Sequence, residues 1–193
     1  MKTKSKRRLK LAGIVHPLLF KQARDGARLR NWDRIFGSAD SQASMYLMGL
    51  NAQYFRDHDA YEAALLIAWV NQKTSRVCIN GTWWDWNIYM KDWLHRQCER
   101  AKLRAASDPL PELPDPITVY RGAAPDKDMR GVSWSLDRSV AEGFSRSQGD
   151  GKTVWTTQIQ RDQIYAYVSE SGRNERETML VLPDDWPVEE IGV

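Results

Sequence analysis

Four of the eight prolines in this chain fall within ten residues, at Pro109, Pro111, Pro114 and Pro116. Proline fixes φ, removes a backbone donor and pushes its predecessor out of the α region. Residues 107–116 therefore predict an extended connector that neither helix nor central strand can cross. The hydrophobic period changes there as well. Before it, apolar residues recur every three or four positions; after it, they alternate. A chain divided in this way predicts an α+β fold. Its expected parts are an arm over 1–10, a helical region over 11–106, the connector over 107–116 and a β-rich region over 117–193. The two larger parts can pack as one domain.

Helical signals run along the first part. Leu18, Leu19 and Phe20 can face a core. Asp40 or Ser41 can cap a helix carrying Met45, Leu47, Met48, Leu50 and Tyr54, and Asp57 or Asp59 can cap a second carrying Tyr61, Ala64, Leu65, Ala68 and Trp69. Arg76 to Ile79 reads as a brief extended piece ended by Asn80 and Gly81. Thr82 followed by Asp85 resembles a capping box and predicts a helix from Thr82, with Trp86, Met90, Trp93, Leu94 and Cys98 as its apolar stripe. The indoles of Trp83, Trp84 and Trp86 would surround its first turn, as a surface wrapped by neighbours or as a stacking surface for a ligand.

Charge is unevenly placed. Residues 1–34 hold eleven Lys and Arg against two Asp, a balance of +9; the whole chain is +3, which leaves −6 for residues 35–193. Lys2, Lys4, Lys6, Arg7, Arg8 and Lys10 read as a solvated arm or as a contact for an acidic partner. No apolar run approaches the roughly 20 residues that span a bilayer, and Gly13, His16 and Pro17 interrupt the first one, so neither a membrane span nor a secretory leader is expected. Two cysteines, Cys78 and Cys98, make neither a disulfide framework nor a metal motif. The expectation is a cytoplasmic chain, of the producing cell or of a target cell, with reduced thiols and no metal.

Beyond the connector, Ile117–Arg121, Gly131–Leu136, Val154–Ile159, Tyr165–Val168 and Thr178–Leu182 read as strands. A short helix with Val140, Ala141 and Phe144 is expected to start near Asp137 or Ser139, and Ser145 to Lys152 reads as a loop. Alternation puts Ser133 and Ser135 on one face and Val132, Trp134 and Leu136 on the other. Arg121 ends its strand, where a guanidinium can take an anion through two parallel N–H bonds. Gly122 has no Cβ and lets a planar ligand approach its backbone. Glu177 enters a strand, and Glu175 precedes it on a loop. Taken singly, these are ordinary surface and strand residues; their order and strand context are what make them a set.

That ordered set resembles the R-S-E class of ADP-ribosyltransferases. Tyr120, Arg121 and Gly122 match the family's aromatic-Arg-Gly strand. Ser133, Trp134 and Ser135 match its Ser-Thr-Ser element, with tryptophan replacing the middle residue. Leu136, Asp137, Ala141 and Phe144 match the helix entry, and Glu175, Arg176 and Glu177 match Glu-x-Glu, with Thr178 where an apolar residue is more usual. The resemblance covers residues 117–182 and implies a split β-sandwich with NAD in its cleft. It implies that Arg121 holds an NAD phosphate, the Gly122 backbone holds the carboxamide, and Ser133 orients the catalytic glutamate. Ser135 lines the nicotinamide–ribose pocket, and Phe144 belongs to the same NAD-binding set. Glu177 takes the ribose 2′-OH and Glu175 handles the acceptor.

The implied activity is mono-ADP-ribosyl transfer from NAD to a macromolecule. Glu-x-Glu favours an arginine acceptor, on protein more than on RNA. A toxin, a phage effector or half of a toxin–antitoxin pair with a cognate inhibitor would carry such a domain. NAD hydrolysis needs the same residues. A non-enzymatic interaction module on the same fold is the third reading.

Overall fold

The computed structural model describes residues 44–72, 76–79, 82–123, 129–147, 153–169 and 176–192. The basic arm, Leu18 to Phe20, the Asp40 or Ser41 cap and Glu175 lie outside the described residues. Helices and an antiparallel open sheet make an α+β fold. Two compact units divide between Tyr89 and Met90.

In the first unit, α1 (Ser44–Asp57) and α2 (Tyr61–Asn71) pack together. Met45, Met48 and Phe55 are fully buried from α1, as are Ala64, Leu65 and Ala68 from α2. The expected Asp57 or Asp59 cap is not there: α2 is capped by Ala60 without a side-chain bond. Asp59 instead takes a left-handed φ of 51°, and Ala60 N donates to Phe55 O at 2.9 Å. Asp59 thus turns the chain out of α1, since aspartate tolerates that conformation better than most residues.

A second correction concerns Thr82. Residues Thr82–Asp85 form a strand, β2, paired antiparallel with β1 (Arg76–Ile79), with Ile79 opposite Thr82. A β-branched residue followed by two indoles favours a pleated strand over a helical first turn. The sequence between the strands, Asn-Gly, is the one two-residue hairpins prefer. The helix, α3, begins only at Trp86 and runs to Arg96. Of its expected stripe, Trp86, Met90 and Leu94 are buried and Trp93 is half-buried, while Cys98 falls beyond the helix end. On its outer side Arg96 Nε meets Asp92 Oδ1 at 2.9 Å.

In the second unit, α4 (Arg100–Ala106) leads into the proline-rich segment. That segment is not a free linker. Asp108 N donates to Tyr167 O at 2.9 Å, Arg161 holds the carbonyls of Pro111 and Leu113, and Leu110 and Leu113 pack on the sheet's core. Six described strands then form one sheet: β3 (Ile117–Gly122), β4 (Ser133–Ser135), β5 (Thr153–Ile159), β6 (Ala166–Val168), β7 (Glu177–Met179) and β8 (Glu189–Gly192). Their order is β6-β7-β4-β3-β5-β8, with every pairing antiparallel. One face carries the core: Ile117, Val119, Trp134, Ile159, Leu180 and Leu182, with Ile164 beside them.

Helix α5 (Arg138–Ser147) lies against the opposite face. It extends to Ser147, although composition predicts a loop from Ser145, because Ser145 is fully buried and continues the Ala141 face. A Cβ on Gly122 would run into Ala141 O of α5 and sit 2.7 Å from Ser145 N. This glycine exists for helix–sheet contact.

Candidate functional site

The sheet order gathers residues far apart in the chain. Strand β4 lies between β3 and β7, so it brings Arg121, Ser133, Ser135 and Glu177 into three adjacent strands. Ser135 is directly opposite Glu177 on β7 and opposite Tyr120 on β3. Residues opposed in an antiparallel pair share a face, with Cβ atoms about 4.5–5.5 Å apart. Tyr120, Ser135 and Glu177 therefore form one row across the sheet. The β4–β7 ladder continues on both sides of this row. Leu136 N donates to Arg176 O at 3.1 Å, and Leu180 N to Val132 O at 2.9 Å. Glu177 is half-buried while Ser135 is 5% exposed.

The register distinguishes the two serines. Ser133 is opposite Met179, one step further along, and Ser135 holds the position against the glutamate. Pairing sets register, and a shift of two residues keeps both hydroxyls on the same face. The Ser135 Oγ also accepts from Asp137 N at 3.0 Å, which links the row to the start of α5.

Arg121 joins the site differently from the expectation. It follows Ile117 and Val119 in alternation and is opposite Trp155, so it leaves β3 on the core face, away from the serine–glutamate face. From there its Nη1 donates to Ser133 O at 2.6 Å. Its guanidinium occupies the space that a Cβ on Gly131 would fill. Only Tyr120 and Ser135 are in ladder register between β3 and β4. Beyond that pair the arginine side chain takes the Ser133 carbonyl. Arg121 thus braces the strand that carries both serines. Gly122 is occupied by α5 on its Cα side, so its lack of a Cβ does not open space for a ligand. Phe144 is half-buried on α5, one turn beyond Ala141. Glu175 is outside the described residues.

Two nearby residues, Asp137 of the helix entry and Arg176 within Glu-x-Glu, are given no role of their own by the sequence. Asp137 accepts from Ser139 N at 2.9 Å and Ser139 Oγ at 2.7 Å, the pattern of a helix N-cap. Those Ser139 hydrogen bonds hold its carboxyl below the usual range, and Arg176 adds to the effect. Arg176 has a left-handed φ of 45° immediately before Glu177, and its Nη1 lies 4.0 Å from Asp137 Oδ2. The Asp-x-Ser spacing carries a sequence signal for the cap; nothing in the sequence marks Arg176 as left-handed. Thr178, an unusual residue after the glutamate, is fully buried and donates to Trp134 O at 3.1 Å.

A cleft of about 640 Å³ lies elsewhere in the second unit, between α4, the proline-rich segment and β6, with Arg104, Asp108, Asp115, Arg161 and Tyr167 among its lining. Its size fits a ligand, but its arginines are committed. Arg104 binds the carbonyls of Asp162 and Ile164, as Arg161 binds those of the connector. The cleft is thus a seam between structural segments. The candidate residues do not line it.

No family model, curated protein or solved structure matches the chain. Among the described residues no helix is long and apolar enough to cross a membrane. No group of three or more His, Cys, Asp and Glu there could hold a metal ion.

Proposed function

We propose that this chain is a mono-ADP-ribosyltransferase that takes ADP-ribose from NAD and passes it to an arginine on a macromolecular acceptor. One observation carries the reading. Arg121, Ser133, Ser135 and Glu177, spread over 57 residues, lie on the adjacent strands β3, β4 and β7, with the serines and Glu177 on one face and Arg121 bracing the Ser133 backbone from the other. Their order and strand context are those of the R-S-E class. On this reading the sheet is half of a split sandwich around NAD.

The chemistry follows from the row. The bond between nicotinamide nitrogen and ribose C1′ breaks, and its electron pair leaves with nicotinamide. Positive charge develops at C1′. A fixed carboxylate at Glu177, bonded to the ribose 2′-OH, stabilises that charge as it does in glycosidases. Ser135 orients Glu177 from the facing strand, and Arg121 holds the Ser133 backbone in place. The acceptor nitrogen then bonds to C1′ and loses its proton to a carboxylate, a role that the family assigns to Glu175.

Incubation of the protein and a cell extract with NAD labelled in its adenylate tests this. The expected result is label that stays on protein through denaturation and that peptide mass spectrometry places on arginine side chains. Label found only in free ADP-ribose would make the enzyme a hydrolase. No consumption of NAD would end the proposal and leave an interaction module.

A further inference from the structure

We propose that Asp137 and Arg176 form a latch that sets the backbone from which Glu177 projects. The inference rests on the transferase reading, since it assigns these residues a positioning role at the same site. Three observations converge. Arg176 holds φ at 45°, a conformation that residues other than glycine adopt uncommonly. Its carbonyl accepts from Leu136 N at 3.1 Å, and its guanidinium lies 4.0 Å from Asp137 Oδ2. Consecutive residues at the end of β4 therefore grip both the backbone and the side chain of Arg176. The next residue along is Glu177, opposite Ser135. Asp137 is itself fixed, through two bonds from Ser139 to Oδ1 and one from its own N–H to Ser135 Oγ. The latch ties the start of α5, the serine strand and the glutamate strand together. Because it acts through the backbone, it sets the angle at which the carboxylate meets the sugar and leaves NAD affinity alone.

The test uses the full chain and initial rates of nicotinamide release from NAD. Asp137→Asn keeps an N-cap, because asparagine caps as well as aspartate, and removes the negative charge that faces Arg176. We expect kcat to fall about two- to fivefold, the scale of one exposed ion pair, with KM for NAD unchanged. Arg176→Val, a β-branched residue forced to positive φ, should lower kcat by about tenfold. The decisive variant is the double change Asp137→Asn with Arg176→Gly. Glycine takes positive φ without steric cost, so kcat should return to within about twofold of the parent. Full kcat in Asp137→Asn would overturn the latch, as would a change confined to KM or a failure of glycine to rescue. An inactive parent would overturn both the latch and the transferase reading, so the two failures are distinct.

Discussion

On one face of the sheet Ile117, Val119, Trp134 and Leu180 are almost wholly buried; on the other, the same strands carry Ser133, Ser135 and Glu177. The pleat makes the division, because neighbours along a strand point to opposite sides. Trp134 lies between two serines and its side chain points to the face opposite theirs. The apolar face holds the strands in register, and the register fixes which serine meets the glutamate. Arg121 is the exception that joins the two. It starts among the core residues and braces the backbone of Ser133 from that side. The comparison separates substitutions that cost stability from those that cost chemistry, even one residue apart.

Trp134→Ala should show the largest effect. It empties a fully enclosed site and should cost about 3–5 kcal/mol in chemical denaturation. Gly122→Ala comes next, and it probes the other face. The added methyl meets the α5 backbone at Ala141 and Ser145, so about 1–3 kcal/mol should be lost as the helix is pushed from the sheet. An unchanged melting temperature would mean that α5 does not pack there. Thr178→Val removes the hydroxyl that bonds Trp134 O beneath the site, and should cost about 1 kcal/mol with little change in the rate of the folded enzyme.

The smallest effect is in acid. Asp137 has a folded-state pKa below its ordinary value of 3.8, so the unfolded chain binds its proton first. Its contribution is present above pH 3.8 and is lost as pH falls through the lower folded value. The stability margin of the parent over Asp137→Asn should therefore shrink as pH falls from about 4 through the lower folded value. A constant margin over that range would mean that the carboxylate gains nothing from Ser139 and Arg176.

The residues show why part of this was legible. Alternation identified β3, β4 and β5, because Val-Ser-Trp-Ser-Leu and its like fit one period only. The stripe of Trp86, Met90 and Leu94 was equally plain. Thr82 misled because a capping-box spacing and a β-branched, indole-rich strand can share the same letters, and pairing with Arg76–Ile79 decides between them. Strand β8 has no alternation, only Glu189, Glu190, Ile191 and Gly192, and it exists because β5 offers an edge. Whether Ser133 or Ser135 faces Glu177 is a matter of register, which no local pattern encodes. Arg121's route to Ser133 depends on Gly131 ten residues away, so it was not readable from the Tyr-Arg-Gly motif.

The most direct measurement is the rate of nicotinamide release from NAD by the parent and by Glu177→Gln, with both melting temperatures recorded. The account predicts equal stability and a rate lower by about 10²–10³ in the variant. Equal rates in two equally folded proteins would contradict it, because the carboxylate beside Ser135 would then have no part in breaking the glycosidic bond.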